Sequence, residues 1–247
     1  MLSSVGPFFV NSGKYMETTD QKIALVTGAN RGIGKEIARQ LIAMDWRVII
    51  TGRDLPAVQQ TASELGEGAI PLRLDVSNQH SVEHFMEVFL DRFDRLDVLI
   101  NNAGIMGSAP MSNFDLQQIG SVMDVNVMGP IRVIRAVLPR LRESDDARII
   151  NVSSGMGTIS DLEQGGYGAY RLSKWSLNGL TILLNAELLG EGIKVMAMCP
   201  GWCRTGMGSS AAPRSAADGA STAVWLASSP QAESGKFYRD EQEISWT

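Results

Sequence analysis

The amino-acid sequence predicts an α/β protein with one domain, in which a doubly wound parallel sheet of seven strands carries helices on both faces. Short runs rich in Val, Ile and Leu alternate with helical patterns from residue 22 onward. Continuous apolar runs are typical of strands that are buried on both faces, as in parallel sheets. Strands that alternate with helices form right-handed βαβ units, which place helices on both sides of one sheet.

Six short apolar runs predict six strands, and a seventh strand is predicted near the end of the chain. The six runs are KIALVT (22–27), RVIIT (47–51), AIPLRL (69–74), LDVLIN (96–101), ARIINVS (147–153) and IKVMAMC (193–199). The seventh run is SGKFY (234–238). Amphipathic helices are predicted between them; in residues 82–93, for example, apolar side chains recur at i, i+3, i+4, i+7 and i+11.

The composition fits one large globular domain. Of the 247 residues, 44% are hydrophobic and 20% are charged. Residues 1–21 differ in pattern from the rest of the chain, and their short apolar segment lacks the early positive charges of a secretory signal. We interpret them as an extension ahead of a catalytic domain at 22–247. Met16 is an alternative start that the sequence leaves open.

Charge and hydropathy exclude several classes of partner. The net charge of −5 disfavours a nucleic-acid partner, because such proteins usually present a basic face. No apolar run approaches the roughly 20 residues that a membrane-spanning helix needs. Only two cysteines occur, as expected in a reducing compartment. We therefore expect a cytoplasmic protein with neither a nucleic-acid nor a membrane partner.

Two patterns resemble metal sites, and neither predicts one. Cys199 and Cys203 have no second cysteine pair or histidine set to complete a zinc site. His80 and His84, in HSVEH, match the His-x-x-Glu-His pattern of some zinc peptidases but lie on a predicted amphipathic helix with no downstream ligand. A solvated helix face is the favoured interpretation, and no metal is predicted.

A glycine-rich turn after the first predicted strand indicates a phosphate site. TGANRGIG (27–34) places glycines at 28, 32 and 34 and runs directly into a helix. Glycines let the backbone approach a pyrophosphate, and a helix N-terminus offers free N–H groups and the positive end of its dipole. Between a buried strand and an amphipathic helix, this Gly-x-x-x-Gly-x-Gly spacing predicts a Rossmann-type dinucleotide site.

The end of the second strand indicates NADP(H). Sites for NAD place an acid there to hold the ribose 2′-hydroxyl. Gly52 occupies that position instead and Arg53 follows, with Arg31 near in the expected fold. Two guanidiniums suit a 2′-phosphate, which accepts paired hydrogen bonds. The alternative is that Arg53 pairs with Asp54 at the surface.

Further motifs resemble those of the short-chain dehydrogenase/reductase superfamily. NNAG (101–104) ends the fourth strand, NVSS (151–154) ends the fifth, Tyr170-x-x-x-Lys174 opens the next helix, and PGWCRT (200–205) follows the sixth strand. With the glycine turn, they span the chain from about residue 22 to its end in the order of the family. The tail segments PRSAADGASTAVWLA and SGKFYRDEQEISW look most like the carbonyl-reductase branch.

The resemblance implies a role for each matching residue. Tyr170 would protonate a carbonyl oxygen, Ser154 would orient that oxygen, Lys174 would bind the nicotinamide ribose and lower the pKa of Tyr170, and Asn126 would complete a proton relay through a water. The implied catalytic set is Asn126, Ser154, Tyr170 and Lys174. The implied cofactor-binding set is Gly28, Asn30, Arg31, Gly32, Ile33, Gly34, Arg53, Asp75, Val76, Asn101, Asn102, Ala103, Gly104, Tyr170, Lys174, Pro200, Gly201 and Thr205.

Pro130 supports the relay role of Asn126. A helical N–H bonds the carbonyl four residues earlier, and proline has no N–H, so the carbonyl of Asn126 is free to hold a water. The ring should also bend the helix there. A simple packing kink beside Gly129 is the alternative.

Two tyrosines have a cation four positions downstream: Tyr167 precedes Arg171, and Tyr170 precedes Lys174. On a helix this spacing favours the phenolate and lowers the tyrosine pKa from its ordinary value of about 10. The stripe from Tyr170 through Lys174 becomes apolar and can pack on the sheet, whereas Tyr167 and Arg171 continue into polar residues and should be solvated. We therefore expect Tyr170 to be the catalyst. Tyr167, at or outside the helix start, lines the substrate mouth or is purely structural.

Apolar residues mark the expected substrate pocket, with Ser154 at its base. They are Met106, Met156, Tyr167, Trp202 and Met207. Such side chains suit hydrophobic ketones or aldehydes. Gly206 stands where many relatives have an acid, and the loop between Ser154 and Tyr170 is slightly longer than usual yet lacks the long insertion of monomeric carbonyl reductases. We therefore expect a homodimer or homotetramer.

The predicted function is reversible NADPH-dependent reduction of hydrophobic carbonyl compounds. Reduction of 3-oxoacyl thioesters shares every catalytic residue and is an alternative. A regulator that senses the dinucleotide on the same fold, without chemistry, is another. The complete set of Asn126, Ser154, Tyr170 and Lys174 favours an enzyme.

Overall fold

The computed structural model describes residues 21–247, and the predicted extension lies outside them except for Gln21. One sheet organises this part of the chain. Its strands are β1 (Ile23–Val26), β2 (Arg47–Gly52), β3 (Ala69–Arg73), β4 (Val98–Asn101), β5 (Arg148–Val152), β6 (Lys194–Met198), β7 (Phe237–Arg239) and β8 (Gln242–Ile244). All seven predicted strands are present, which confirms the doubly wound fold.

The strand order β3-β2-β1-β4-β5-β6-β7-β8 reverses direction between β1 and β4. Strands β1 to β7 pair in parallel, and β8 pairs antiparallel with β7. The prediction of seven strands was wrong by one. Residues 242–244 form a short, largely exposed edge strand and therefore carry no apolar run that could reveal it.

Helices cover both faces of the sheet. They are α1 (Gly32–Ile42), α2 (Leu55–Leu65), α3 (Gln79–Arg92), α4 (Leu116–Met123), α5 (Gly129–Leu141), α6 (Ile159–Leu162), α7 (Gly168–Leu188) and α8 (Ala216–Ser228). Short helical turns also occur at Met111–Asn113, Asp124–Met128, Gly155–Gly157 and Leu189–Glu191. Among the described residues, no helix is both long and apolar enough to cross a bilayer.

The alternation of strand side chains builds two cores. Val26 and Ile50 face one cluster with α1, α2 and α8, whereas Leu25 and Ile49 face the other with α3, α5 and α7. The predicted apolar stripe of residues 82–93 is confirmed, since Phe85 and Phe89 of α3 and Phe93, which follows the helix, are fully buried and stack in sequence. Truncation of one such Phe to Ala costs about 3–5 kcal/mol.

The carboxyl ends of the central strands position the candidate site. In open α/β sheets, ligands bind outside these ends, at the point where strand order reverses. Here the loops after β1, β4, β5 and β6 converge there, together with the beginning of α1 and the first turns of α7.

Candidate active site

A cleft of about 230 Å³ opens at the carboxyl ends of the central strands. Most of the predicted cofactor-binding residues line it. Its wall is formed by Gly28, Asn30, Arg31, Gly32, Ile33, Gly34, Gly52, Arg53, Leu74, Asp75, Val76, Asn102, Ala103, Gly104, Ile105, Val125, Val152, Ser153, Tyr170, Lys174, Pro200, Thr205, Gly206 and Met207. The structure therefore brings motifs from across the chain to one surface.

Two glycines of the turn, Gly28 and Gly34, have no room for a side chain. Gly28 adopts a φ of +63°, a conformation that L side chains rarely adopt. A Cβ at Gly34 would lie 2.4 Å from Nδ2 of Asn102. The backbone after β1 therefore lies directly against the loop after β4, at the N-terminus of α1. This is the cradle that a pyrophosphate requires.

The loop after β4 is held to the end of β1 by side-chain hydrogen bonds. Thr27 Oγ1 accepts from the backbone N–H groups of Asn102 and Ala103, both at 3.0 Å. Asn102 Nδ2 donates to the carbonyls of Thr27 at 2.8 Å and Gly28 at 3.1 Å. The side chain of Asn102 thus shapes the floor of the cleft from beneath.

The end of β2 leaves space and positive charge at the rim of the cleft. A side chain at Gly52 would approach Val58 at 2.9 Å and Asn30 at 3.1 Å, so an acid does not fit there without rearrangement. Arg31 and Arg53 are exposed, and neither pairs with a carboxylate in the part of the chain that the structure describes. Asp54 instead caps α2, accepting from the N–H of Ala57 at 3.4 Å. The rim therefore suits a 2′-phosphate, and the surface pair of Arg53 with Asp54 is absent.

Tyr170 and Lys174 lie together on the buried face of α7. Tyr170 is 7% exposed and Lys174 is 5% exposed. Lys174 Nζ donates to the carbonyl of Val152, at the end of β5, at 2.8 Å and lies 5.6 Å from the centre of the Tyr170 ring. Burial of both groups at the cleft is unusual for titratable side chains and is typical of functional sites.

The pKa values of the pair differ from the sequence-based expectation. Burial raises the pKa of Tyr170 to about 12, although a hydrogen bond with Ser154 lowers it. Burial also lowers the pKa of Lys174 to about 8. The predicted lowering of the Tyr170 pKa by Lys174 was wrong, because the loss of hydration on burial is the largest effect on the pKa of this phenol. Tyr170 is therefore a protonated acid at neutral pH.

Asn126 lies in a π-helical turn, Asp124–Met128, between α4 and α5. Its Oδ1 accepts from the N–H of Ile105 at 2.8 Å, and its Nδ2 donates to the carbonyl of Ile105 at 2.9 Å and to Ser173 Oγ at 3.0 Å. The residue joins the loop after β4 to α7, 1% exposed. The helix departs from α geometry at the asparagine, four residues before Pro130. Such turns are frequent at functional sites.

Arg171, which was predicted to be solvated together with Tyr167, is buried, so that prediction was wrong. Tyr167 caps α7 with a φ of +49° and is 42% exposed, so it stands outside the helix start as expected. Arg171, in contrast, is buried; it pairs with Asp161 at 2.9 Å and donates to the carbonyls of Asp161 and Gly166. Asn178 is also buried and hydrogen-bonds Ser153 Oγ at 2.5 Å. These side chains hold the loop before α7, which the periodicity alone does not reveal.

Some predicted residues do not reach the wall of the cleft. Asn101 points into the sheet, where its Nδ2 donates to Asn151 Oδ1 at 2.9 Å. Gly201 packs against the side chain of Arg214. Four predicted substrate residues, Met106, Met156, Tyr167 and Trp202, are not among the residues that line the cleft. Of the apolar substrate residues, Met207 lines the cleft itself. Both predicted histidines are exposed on α3.

Several wall residues were not predicted. They are Gly52, Leu74, Ile105, Val125, Val152, Ser153 and Gly206. Most are neighbours of a predicted motif residue at a strand end, so a rule that includes the flanking positions would have found them. Val125 is different, because its position on the wall depends on how the π-helical turn orients it.

Comparisons with known proteins agree with this geometry. A family model described as short chain dehydrogenase matches residues 22–216. The chain is 32% identical to (+)-neomenthol dehydrogenase of Arabidopsis thaliana, over 90% of this chain and 97% of that protein. Its structure is similar to that of NADPH-bound carbonyl reductase from chicken fatty liver, with a TM-score of 0.83 and 30% identity over 91% of this chain and 98% of that one. It is also similar to 3-ketoacyl-(acyl-carrier-protein) reductase from Brucella melitensis in complex with NADH, with a TM-score of 0.79 and 27% identity over 87% of this chain and 95% of that one.

Proposed function

Because the chain belongs to the short chain dehydrogenase family, we propose that it is an NADPH-dependent reductase of hydrophobic ketones and aldehydes, reversible toward alcohol oxidation. One observation carries the proposal most directly. Tyr170 and Lys174 lie buried side by side at the cleft, next to Ser154, in a fold whose glycine cradle suits a dinucleotide. A protein that only sensed a dinucleotide would need the cradle but not the buried acid.

The cradle fits NADP(H). Residues 28–34 would hold the pyrophosphate, Arg31 and Arg53 would hold the 2′-phosphate, and Asp75 with Val76 would wall the adenine. Lys174 would hold the nicotinamide ribose, and Thr205 the carboxamide. When bound, NADPH supplies a hydride to the carbonyl carbon. The similarity to the NADPH-bound chicken enzyme supports this choice, and the Brucella enzyme, which is in complex with NADH, makes NADH the other dinucleotide to test.

The side chains of this chain provide the proton. As the carbonyl oxygen gains negative charge, the hydroxyl of Tyr170 donates its proton to it; a buried phenol with a raised pKa holds that proton at neutral pH. Ser154 donates a hydrogen bond to the same oxygen and so orients it. Asn126 fixes the loop after β4 and would lie on the relay that returns a proton to Tyr170.

The mouth of the cleft supports a hydrophobic substrate. Met207 lines the cleft and is 44% exposed, and Met106 and Trp202 are 39% and 56% exposed, so these side chains can offer apolar surface to a ligand. Reduction of 3-oxoacyl thioesters is the second candidate, favoured by the similarity to the Brucella reductase. The two activities share every catalytic residue and differ only in what the mouth accepts.

Exposed apolar side chains support self-association through α5 and α7. On α7, Trp175, Ile182 and Leu183 are 46%, 45% and 62% exposed, and Ile131 of α5 is 37% exposed. We propose a homodimer or homotetramer that covers them, which sedimentation velocity would test directly. Both cysteines are unpaired and buried, which supports a cytoplasmic protein.

The decisive experiment measures NADPH consumption on a panel of hydrophobic ketones, aldehydes and 3-oxoacyl thioesters, with Tyr170→Phe as the blank. Turnover that the substitution abolishes supports a reductase, and the best substrate separates the two candidates. Tight NADPH binding without turnover on any substrate would instead favour the sensing role.

Cofactor choice has its own test. Arg53→Ala should weaken NADPH binding by about tenfold or more and leave NADH binding nearly unchanged, because NADH lacks the 2′-phosphate. Fluorescence titration with both dinucleotides measures the two Kd values. Equal weakening of both would contradict the role of Arg53.

A further inference from the structure

Arg239, at the end of β7, reaches the loop that carries Ser154. Its Nη2 donates to Sγ of Cys199 at 2.9 Å. The backbone N–H of Gly155 donates to the same sulfur at 3.1 Å. Cys199 directly follows β6, and Gly155 directly follows Ser154. The sulfur thus joins the ends of β5, β6 and β7 at the edge of the sheet where the candidate active site lies.

The guanidinium of Arg239 occupies the space that a side chain at Gly155 would need. A Cβ at Gly155 would lie 2.8 Å from Arg239 Nη2 and 3.9 Å from Cys199 Sγ. The arginine therefore packs directly on the backbone next to Ser154. Among the groups around Gly155, the guanidinium is the nearest to this side of the backbone.

Arg239 is not held there by an ion pair. Among residues 21–247, no carboxylate lies within ion-pair distance of it, and its buried Nε has no hydrogen-bond partner. Partial burial of a guanidinium without a carboxylate is unfavourable in itself. The next residue, Asp240, pairs instead with Arg214, at 3.1 Å and 2.5 Å. Ordinary surface pairing therefore does not account for the placement of Arg239.

The contact of Cys199 and Arg239 with Gly155 is one residue from Ser154, the hydrogen-bond partner of the proposed acid Tyr170. Ser154 hydrogen-bonds Tyr170 and lowers its pKa, whereas negative charge on Cys199 would raise that pKa. Movement of residues 154–156 would therefore change the hydrogen bond that Tyr170 receives. Sulfur is a weak acceptor, and a charged donor gives it a stronger hydrogen bond than a neutral donor would.

We propose that Arg239 is a positioning residue, which acts through Cys199 and Gly155 to hold the Ser154 hydroxyl beside Tyr170. The proposal rests on the proposed reductase function, since it assigns a part in that reaction. It also makes a structural claim that can be tested without turnover. Cys199 and Arg239 should act as one unit, so loss of either should have the effect of losing both.

The test compares Arg239→Met, Arg239→Lys, Cys199→Ala and the double variant Arg239→Met/Cys199→Ala. Lys236→Met is the matched control, because Lys236 lies next to the same strand but pairs with Glu243 at 3.0 Å, away from the Ser154 loop. Arg239→Met should lower kcat about tenfold, with Kd for NADPH within twofold of wild type. Arg239→Lys should recover part of the loss, and the double variant should be no worse than either single one.

Two readouts separate positioning from general damage. Without the Ser154 hydrogen bond the pKa of Tyr170 is higher, so the alkaline rise of alcohol oxidation should shift to higher pH in Arg239→Met. Amide hydrogen exchange in residues 154–158 of Arg239→Met should also be faster than in wild type, with exchange in the strands of the sheet unchanged. Unchanged exchange in this segment, or additive losses in the double variant, would overturn the inference. If the wild type turns over no substrate, the proposed function fails and the exchange experiment still decides the structural claim.

Discussion

Two tyrosine–cation pairs with the same i, i+4 spacing stand at the beginning of α7, and their surroundings are opposite. Tyr170 and Lys174 are both buried and both line the cleft. Tyr167 is exposed, while its partner in the sequence, Arg171, is buried against the loop at 161–166. The same spacing therefore accompanies a candidate catalytic pair, Tyr170 with Lys174, and a structural residue, Arg171, which holds the loop at 161–166.

The backbone explains the difference. An i, i+4 spacing places two side chains on one face only if both residues are helical. Tyr170 and Lys174 are inside α7, but Tyr167 is its cap, with a left-handed φ of +49° after Gly165 and Gly166. Its side chain is therefore not placed over Arg171 by the helix. The guanidinium bonds the carbonyls of Asp161 and Gly166 instead.

The two cations should affect stability in different ways, and Lys174 offers the largest expected effect. Its folded pKa of about 8 is below the ordinary value of 10.5, so the unfolded chain binds more protons between these values and stability rises with pH there. The difference corresponds to about 3 kcal/mol. Urea unfolding at pH 8 and pH 10, without cofactor, should show wild type gaining stability relative to Lys174→Met. If the difference in unfolding free energy between wild type and Lys174→Met were the same at both pH values, the pKa of Lys174 would not be lowered in the folded protein.

Removal of Arg171 should have the next largest effect. Arg171→Met leaves the carboxylate of Asp161 and two carbonyls without their donor, so the free energy of unfolding should fall by about 2 kcal/mol. Arg142→Met is the matched control, because Arg142 pairs with Glu191 on the surface and such pairs contribute about 0–1 kcal/mol. Equal effects of the two substitutions would contradict the anchoring role.

The smallest effect is expected at Tyr167. Its left-handed backbone is unfavourable for a bulky residue, so Tyr167→Gly should be neutral or stabilise the fold by up to about 1 kcal/mol. Thermal unfolding measures the change. A clear loss of stability would show that the exposed ring makes contacts that the fold needs.

The fold was predictable because it depends on local signals. Buried parallel strands carry continuous apolar runs, and α3 shows its apolar face in its spacing. The short edge strand β8 has no such signal, since three largely exposed polar and apolar residues look like a loop. The burial of Tyr170 and Lys174 was also predictable, from the apolar stripe that continues beyond Lys174.

Other features of the site depend on tertiary contacts. The burial of Arg171 requires the carbonyls of a loop whose path no periodicity reveals. The raised pKa of Tyr170 depends on how much water the assembled fold removes, which spacing does not report. The approach of Arg239 to Cys199 joins two strand ends that are 40 residues apart in the chain. Each of these is a non-local effect of chain packing.

The most direct test of the central claim measures kcat for Tyr170→Phe and Tyr167→Phe side by side, on the best substrate of the panel, with NADPH binding measured for both. Loss of a positioned general acid reduces turnover by about 10²–10⁴-fold. We therefore predict this loss for Tyr170→Phe with unchanged NADPH affinity, and less than about a twofold change for Tyr167→Phe. Equal losses in the two variants, or a larger loss at Tyr167, would contradict the assignment of chemistry to the buried pair.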